Sequence, residues 1–475
     1  MQKTGDDYFD SQEFREILAK YEAAVDSGHS IFMDVDELAD IADYYAFTNR
    51  IELAINAVNI ALELYPGACE PLVFLAREAL INNDVEKAAE YAEQIIDKEE
   101  PDYKYLQAEL MIANDRVDEA DRYLRDYFLT VPPEEHDDFV LDVTNIYMDY
   151  GLNERAAQWL IRSSGKSRKN EFKELRARLE FASGKYSDSE RLFNELIDEN
   201  PFCKRYWNAL ASAQFMREDF NSSITSSEYA MAIDPDDAEG MLAKANGLFR
   251  LNNFEEAIKY YQRYIEHVAD DEAAYLQLAI CLVNLNRLEE ALHHLQHALQ
   301  VAPPDSSYLQ QIEQEIAFTY SSLRRPDKAM EYLDKADAHE DSDHTDILVL
   351  RGHVLLENGQ TEEALAMFTK AFNESGSSPA VMLRIIVSLY DNHYVSSCYK
   401  MFKKLFQIVD DDFNDGYSYM ALCCWELRKD REFIHYLEEG VARNPNEAKT
   451  VLGHLFPDET KPEEYVGYMR KKLNQ

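Results

Sequence analysis

Side chains of similar character recur along this chain at spacings of three and four. Trp207, Leu210, Ala211 and Gln214 run i, i+3, i+4, i+7, and Tyr275, Leu278, Ala279 and Leu282 repeat the run. That is the spacing of one face of an α-helix. A longer pattern lies over it. The string EEALxxx returns as EEAIKYY, EEALHHL and EEALAMF. Lining the chain up on its small residue gives Ala54, Ala88, Ala120, Ala156, Ser189, Ser223, Ala257, Ala291, Ala329, Ala364, Cys398 and Phe433. Neighbours in this series stand 32 to 38 residues apart, and eleven of the twelve are small. A period held in both spacing and size predicts a structural repeat.

Two further positions keep the phase, each for its own reason. Five residues before the small one come Asn49, Asn83, Gly151, Gly184, Asn252, Asn286 and Gly359, residue types that accept the left-handed conformation ending a helix. Twelve residues after it come Pro66, Pro132, Pro201, Pro235, Pro303 and Pro445, which lack the N–H and disfavour helix just before them. Each unit therefore reads as a helix, a tight turn and a second helix. The small residue lets the pair approach at the short end of the roughly 8–10 Å interaxial range. A bulky residue there would overpack by about 1–3 kcal/mol.

These residues resemble the tetratricopeptide repeat family. Its signature is matched by Trp207-x2-Leu210-Ala211, by Ala364-x3-Phe368 and by the prolines. The resemblance runs from about 35 to 445 and is strongest over 204–303; Cys398 and Phe433 depart from it. It implies an all-α superhelical solenoid of about twelve helix-turn-helix units. Residues 1–34 are then a capping helix and lead-in, 35–445 the solenoid and 446–475 C-terminal capping helices. Residues 11–27 carry a helical stripe of Phe14, Ile17, Leu18, Tyr21 and Val25, and helices are expected over 446–456 and 463–473. No stretch is left for an independent catalytic domain.

Composition narrows the function classes. With 15 Gly and 14 Pro in 475 residues, collagenous, low-complexity and turn-dense β chains are excluded. No apolar run approaches the roughly 18 residues that span a bilayer. The 48 basic against 90 acidic side chains leave a formal charge of −42, which repels nucleic acid and anionic lipid. Neither is expected as a partner. Cysteines at 69, 203, 281, 398, 423 and 424 form no C-x-x-C, and acids stand where a secretory signal carries its basic region. Reduced thiols in a cytoplasmic protein are the expectation.

Candidate chemistry is sparse. Gly165-Lys166-Ser167 looks like the end of a phosphate-binding loop, but Leu160 stands where that loop needs its first glycine. His293, His294 and His297 offer an i, i+4 pair, read as a surface cluster for want of further ligands. His339, Asp341, Asp343 and His344 read as a loop between units, as do Asp410, Asp411 and Asp412. No nucleophile elbow, H-E-x-x-H or glycine-rich cofactor loop occurs. No enzymatic activity, cofactor or metal is expected.

The family resemblance implies that the second, fifth, ninth and twelfth residues of each first helix line a concave groove. On that mapping the groove takes Asn145 and Arg178, then Arg205, Asn208, Ser212 and Phe215. Leu242, Asn246 and Phe249 follow, and then Leu276, Ile280 and Val283. This is an apolar strip with polar neighbours, suited to a partner peptide or helix whose backbone the amides would bond, or else it is core of a tightly wound superhelix. Between Arg155 and Arg178 eight basic residues face two acids. This island either pairs with acidic repeats or, with Arg178 and Arg205, binds an acidic peptide or small anion. The family's chaperone clamp needs a Lys, Asn and Arg set across three consecutive units, and none supplies it. The expected function is a non-catalytic interaction scaffold holding a protein partner. The alternative is a regulatory or sensor subunit whose superhelix closes on an acidic peptide or small anionic ligand.

Overall fold

The computed structural model describes residues 6–9, 11–27, 33–48, 50–163, 168–339, 342–457 and 460–473. Every regular element among them is helical. Twelve helix pairs follow one another, from Val35–Phe47 with Ile51–Leu64 to Tyr417–Glu426 with Asp430–Arg443.

The small-residue register explains the pairing. All twelve members of the series, from Ala54 to Phe433, have 0% exposed surface. Phe433 breaks the size rule yet is fully buried: it shares a core cluster with Ala421, Cys423 and Cys424 and also with Met420, Leu422 and Leu437, and it meets the Trp425 ring at 5.0 Å. Between the helices of eleven of the pairs, five residues before the small one, the chain turns left-handed. Asn83, Gly151, Gly184, Asn252, Asn286 and Gly359 all have φ between 55° and 75°. So do Asp115, Glu218, Arg324, His393 and Arg428, types that gave no turn signal. Asn49 lies outside the described residues. Pro66, Pro132, Pro201, Pro235 and Pro303 sit in the turns between pairs, while Pro445 opens a helix instead.

The chain divides into two compact units, Met1–Asn200 and Pro201–Gln475. In the first, the helix Gln12–Ser27 lays Phe14 and Tyr21 on Leu38, Ile41 and Tyr45 of the first repeat. That repeat's first helix starts with a reciprocal cap. Glu37 N–H donates to Asp34 at 2.8 Å, and Asp34 N–H donates back to Glu37 at 3.2 Å. In the second unit the end of the stack is closed by Pro445–Leu452, a short 3-10 turn and Pro462–Leu473. The last helix buries Tyr465 and Met469, and Tyr465 stacks on Phe456 at 3.7 Å.

Candidate functional site

In the first unit, the helices Cys69–Ile81, Pro101–Ala113 and His136–Asp149 are the first helices of three successive repeats. Their shared register brings equivalent residues to one wall. Eleven positions before the small residues stand Arg77, Glu109 and Asn145, and all three line a cleft of about 510 Å³. Its apolar surface comes from Leu80, Ile81, Ile146 and the rings of Tyr105 and Tyr150, and its charge from Arg77, Asp102, Glu109, Asp142 and Asp149.

The single arginine is already taken. Arg77 Nε donates to both Glu109 oxygens, at 3.2 and 3.1 Å, and Glu109 is 6% exposed. Burial pushes the Glu109 carboxyl upward against the pull of Arg77. The Asp142 carboxylate accepts from the Tyr105 hydroxyl, yet burial, with Asp102 and Asp138 nearby, pushes it up to about 6. Asp149 is raised by burial although Arg178 and Arg77 both pull it down. At the N-terminal end of Cys69–Ile81 burial and neighbouring acids push Glu70 up to about 7, and one repeat away they push Asp43 to about 6. Asn145 is half-buried and its amide has no hydrogen bond among the described residues. Ile81 is 75% exposed.

The other expected groove residues divide. Arg178 is exposed and faces Asp149; Arg205, in the second unit, is also exposed. Two residues turn away from open space. Leu276 is 0% exposed, in the core, and Asn208 is 2% exposed, donating to Asp237 at 2.9 Å and Glu239 at 3.2 Å. Leu242, Phe249, Ile280 and Val283 are partly buried against a single core cluster. Asn246 accepts from the Tyr261 hydroxyl at 2.7 Å, Phe215 lies edge-on to Phe220, and Ser212 is half-buried. Leu276 and Asn208 are thus closed off, and the remaining expected residues are partly buried or bonded within the chain, apart from the exposed arginines.

The basic island is largely engaged. Arg155 pairs with Asp118 at 2.5 Å and Asp121 at 3.4 Å, Arg168 with Asp138 at 2.9 Å, and Lys173 with Glu199 at 2.8 Å. Arg162 lies over the Trp159 ring. Gly165, Lys166 and Ser167 fall outside the described residues.

No group of three or more His, Cys, Asp or Glu is placed to hold a metal ion among the described residues. His294 and His297 pack on Tyr275, while His339 meets Glu313 at 2.8 Å and His344 meets Asp337 at 2.7 Å. A buried polar string went unsignalled in the sequence. His353 Nδ1 lies 3.0 Å from the Ser388 hydroxyl, and Glu357, bonded by Ser321, lies 4.0 Å from Nε2. Burial lowers the His353 pKa, and both His353 and Ser388 are over nine-tenths buried. A serine closed off in this way reaches no substrate.

Three models described as tetratricopeptide repeat match residues 175–238, 248–316 and 345–375. The chain carries tetratricopeptide repeats. No curated protein matches the sequence. Among solved structures it is similar to MamA, at 18% identity over 34% of this chain and 91% of that one, with a TM-score of 0.32. YrrB, titled a TPR protein with an unusual peptide-binding site, matches at 18% identity, covering 38% and 91%, with a TM-score of 0.34. PilW, titled a type IV pilus biogenesis factor, matches at 18%, covering 47% and 99%, with a TM-score of 0.40. The tetratricopeptide repeats of this chain place their first helices side by side in both units, and no described helix is long and apolar enough to cross a membrane.

Proposed function

We propose that the protein is a non-catalytic, cytoplasmic interaction scaffold whose first-helix walls hold a segment of a partner protein. One observation carries this: the cleft on the wall of the first unit combines an exposed isoleucine, a free amide and unpaired carboxylates. Solvent alone gives such a surface no reason to be built from aligned repeat positions. In the second unit, the partly buried Leu242, Phe249, Ile280 and Val283, with Ser212 and Asn246, offer less: they pack on the core and the Asn246 amide oxygen is taken by Tyr261. The six cysteines are all free thiols, five of them buried, which agrees with a reducing compartment. The anionic-ligand reading finds less support, because the cations it needs are mostly paired and Arg178 faces an acid.

Peptides selected from a displayed random library against the full chain test this. Those that bind should weaken about tenfold or more on Ile81→Asp. They should keep their affinity on Leu129→Asp, a residue 83% exposed and outside the cleft. Absence of any selected binder, or equal loss on both variants, contradicts the reading.

A further inference from the structure

Resting on that scaffold reading, we propose that the first-unit cleft takes a basic segment of its partner, carrying Lys or Arg beside an aliphatic side chain. Charge complementarity argues for it. The cleft sets four acids against one arginine, and Glu109 occupies that arginine. Asp102, Asp142 and Asp149 make no ion pair among the described residues. With 90 acids against 48 basic side chains many carboxylates stay unpaired, unlike Glu290 with Arg287, Glu331 with Lys335 and Glu439 with Arg443, but Asp102, Asp142 and Asp149 lie together in one cleft. An entering guanidinium or ammonium would therefore meet carboxylates that repel one another and have no described cation at ion-pairing distance, Asp142 being held by the Tyr105 hydroxyl and Asp149 only drawn by Arg178 and Arg77.

Two observations independent of charge select a peptide over a free cation. Ile81 exposes three-quarters of its side chain at the cleft, and an aliphatic neighbour would cover it. Asn145 offers a donor and an acceptor, the pair an extended backbone needs. The donor set is also wrong for a metal, since no described cluster has metal-binding geometry. The register favours the same occupant. Glu70, Asp102 and Asp138 repeat eighteen residues before each small position, so the acidic wall continues along the direction in which a chain would lie.

Fluorescence anisotropy of the full chain with three labelled nonapeptides tests the proposal: Arg and Leu alternating, the same with Glu for Arg, and the same with Gln for Arg. The Arg peptide should bind, with affinity falling as salt is raised. It should weaken about tenfold or more on Asp142→Asn with Asp149→Asn, and less than twofold on Glu90→Gln with Glu93→Gln, which removes equal charge from an exposed second helix. Equal weakening on both double variants would mean attraction to overall charge and would overturn the proposal. So would spermidine displacing the peptide as effectively as the unlabelled peptide does. Tight binding of the Gln or Glu peptide, lost on Ile81→Asp, overturns the basic partner and leaves the scaffold reading standing. Failure of all three peptides, together with failure of the library selection, removes both.

Discussion

Ser189 and Ser223 occupy the close-contact position of the fifth and sixth repeats. Both are fully buried, and neither hydroxyl has a hydrogen-bond partner among the described residues. If the register demands only small volume, each hydroxyl is a cost. An unsatisfied buried polar group costs about 1–3 kcal/mol, and Ser is a somewhat poorer helix former than Ala by roughly 0.5 kcal/mol. The void left by removing one oxygen subtracts a few tenths. Ser189→Ala and Ser223→Ala are therefore expected to stabilise the protein by about 1–2 kcal/mol each. In calorimetry this is a rise of roughly 2–4 °C per kcal/mol for a unit of this size. Ser189 belongs to the first compact unit and Ser223 to the second, so each variant should move its own transition. Ser189→Val, which adds bulk, should instead lower stability by about 1–3 kcal/mol. Loss of stability on both alanine substitutions would refute the reasoning: the position would then require the hydroxyl, not its size.

Two further predictions concern the cleft and its charges. Arg77→Met leaves Glu109 buried without its cation. Fully buried pairs lose about 3–5 kcal/mol on such a change, but Arg77 is one-third exposed, so about 2–3 kcal/mol is expected. Amide exchange in Pro101–Ala113 should accelerate, and adding Glu109→Gln should restore most of the protection; an unrestored double variant would show that the pair is not coupled. Burial raises Asp43 and Asp142 to about 6, Glu70 to about 7 and, in the second unit, Asp391 to about 6 and Glu315 to about 7. The folded state thus holds more protons than the unfolded one between the ordinary carboxylate range and about pH 7. Stability should fall as pH rises through that window, so melting temperatures should be higher at pH 5.5 than at 7.5, and the reverse order would contradict these raised values.

The repeat was legible because its requirement is steric. A residue confined between two helices must be small whatever its chemistry, so Ala, Ser and Cys all report the register, and Phe433 is the one exception that is still fully buried. The turns were legible only where Gly or Asn had been chosen. Asp115, Glu218, Arg324, His393 and Arg428 adopt the same positive φ, because the helices on either side fix the conformation and tolerate the strain of about 1 kcal/mol or more. The cleft was half legible. Its register position yielded Asn145, and the same count of eleven residues back from Ala88 and Ala120 reaches Arg77 and Glu109. Both are charged and lie outside the apolar middle repeats, so their residue types carried no groove signal. Exposure was not legible: Leu276 and Ile280 share a helix face pattern, yet only the structure distinguishes a core leucine from a half-buried isoleucine. Nor could spacing reveal that Arg155, Arg168 and Lys173 reach acids on neighbouring helices.

The central claim is that the first helices of the second to fourth repeats form a binding wall. Hydrogen exchange of the full chain, with and without a saturating cleft-binding peptide, tests it most directly. The account predicts new protection in Cys69–Ile81, Pro101–Ala113 and His136–Asp149, with the second helices Val85–Gln94 and Val117–Phe128 unchanged. Protection confined to those second helices would contradict it.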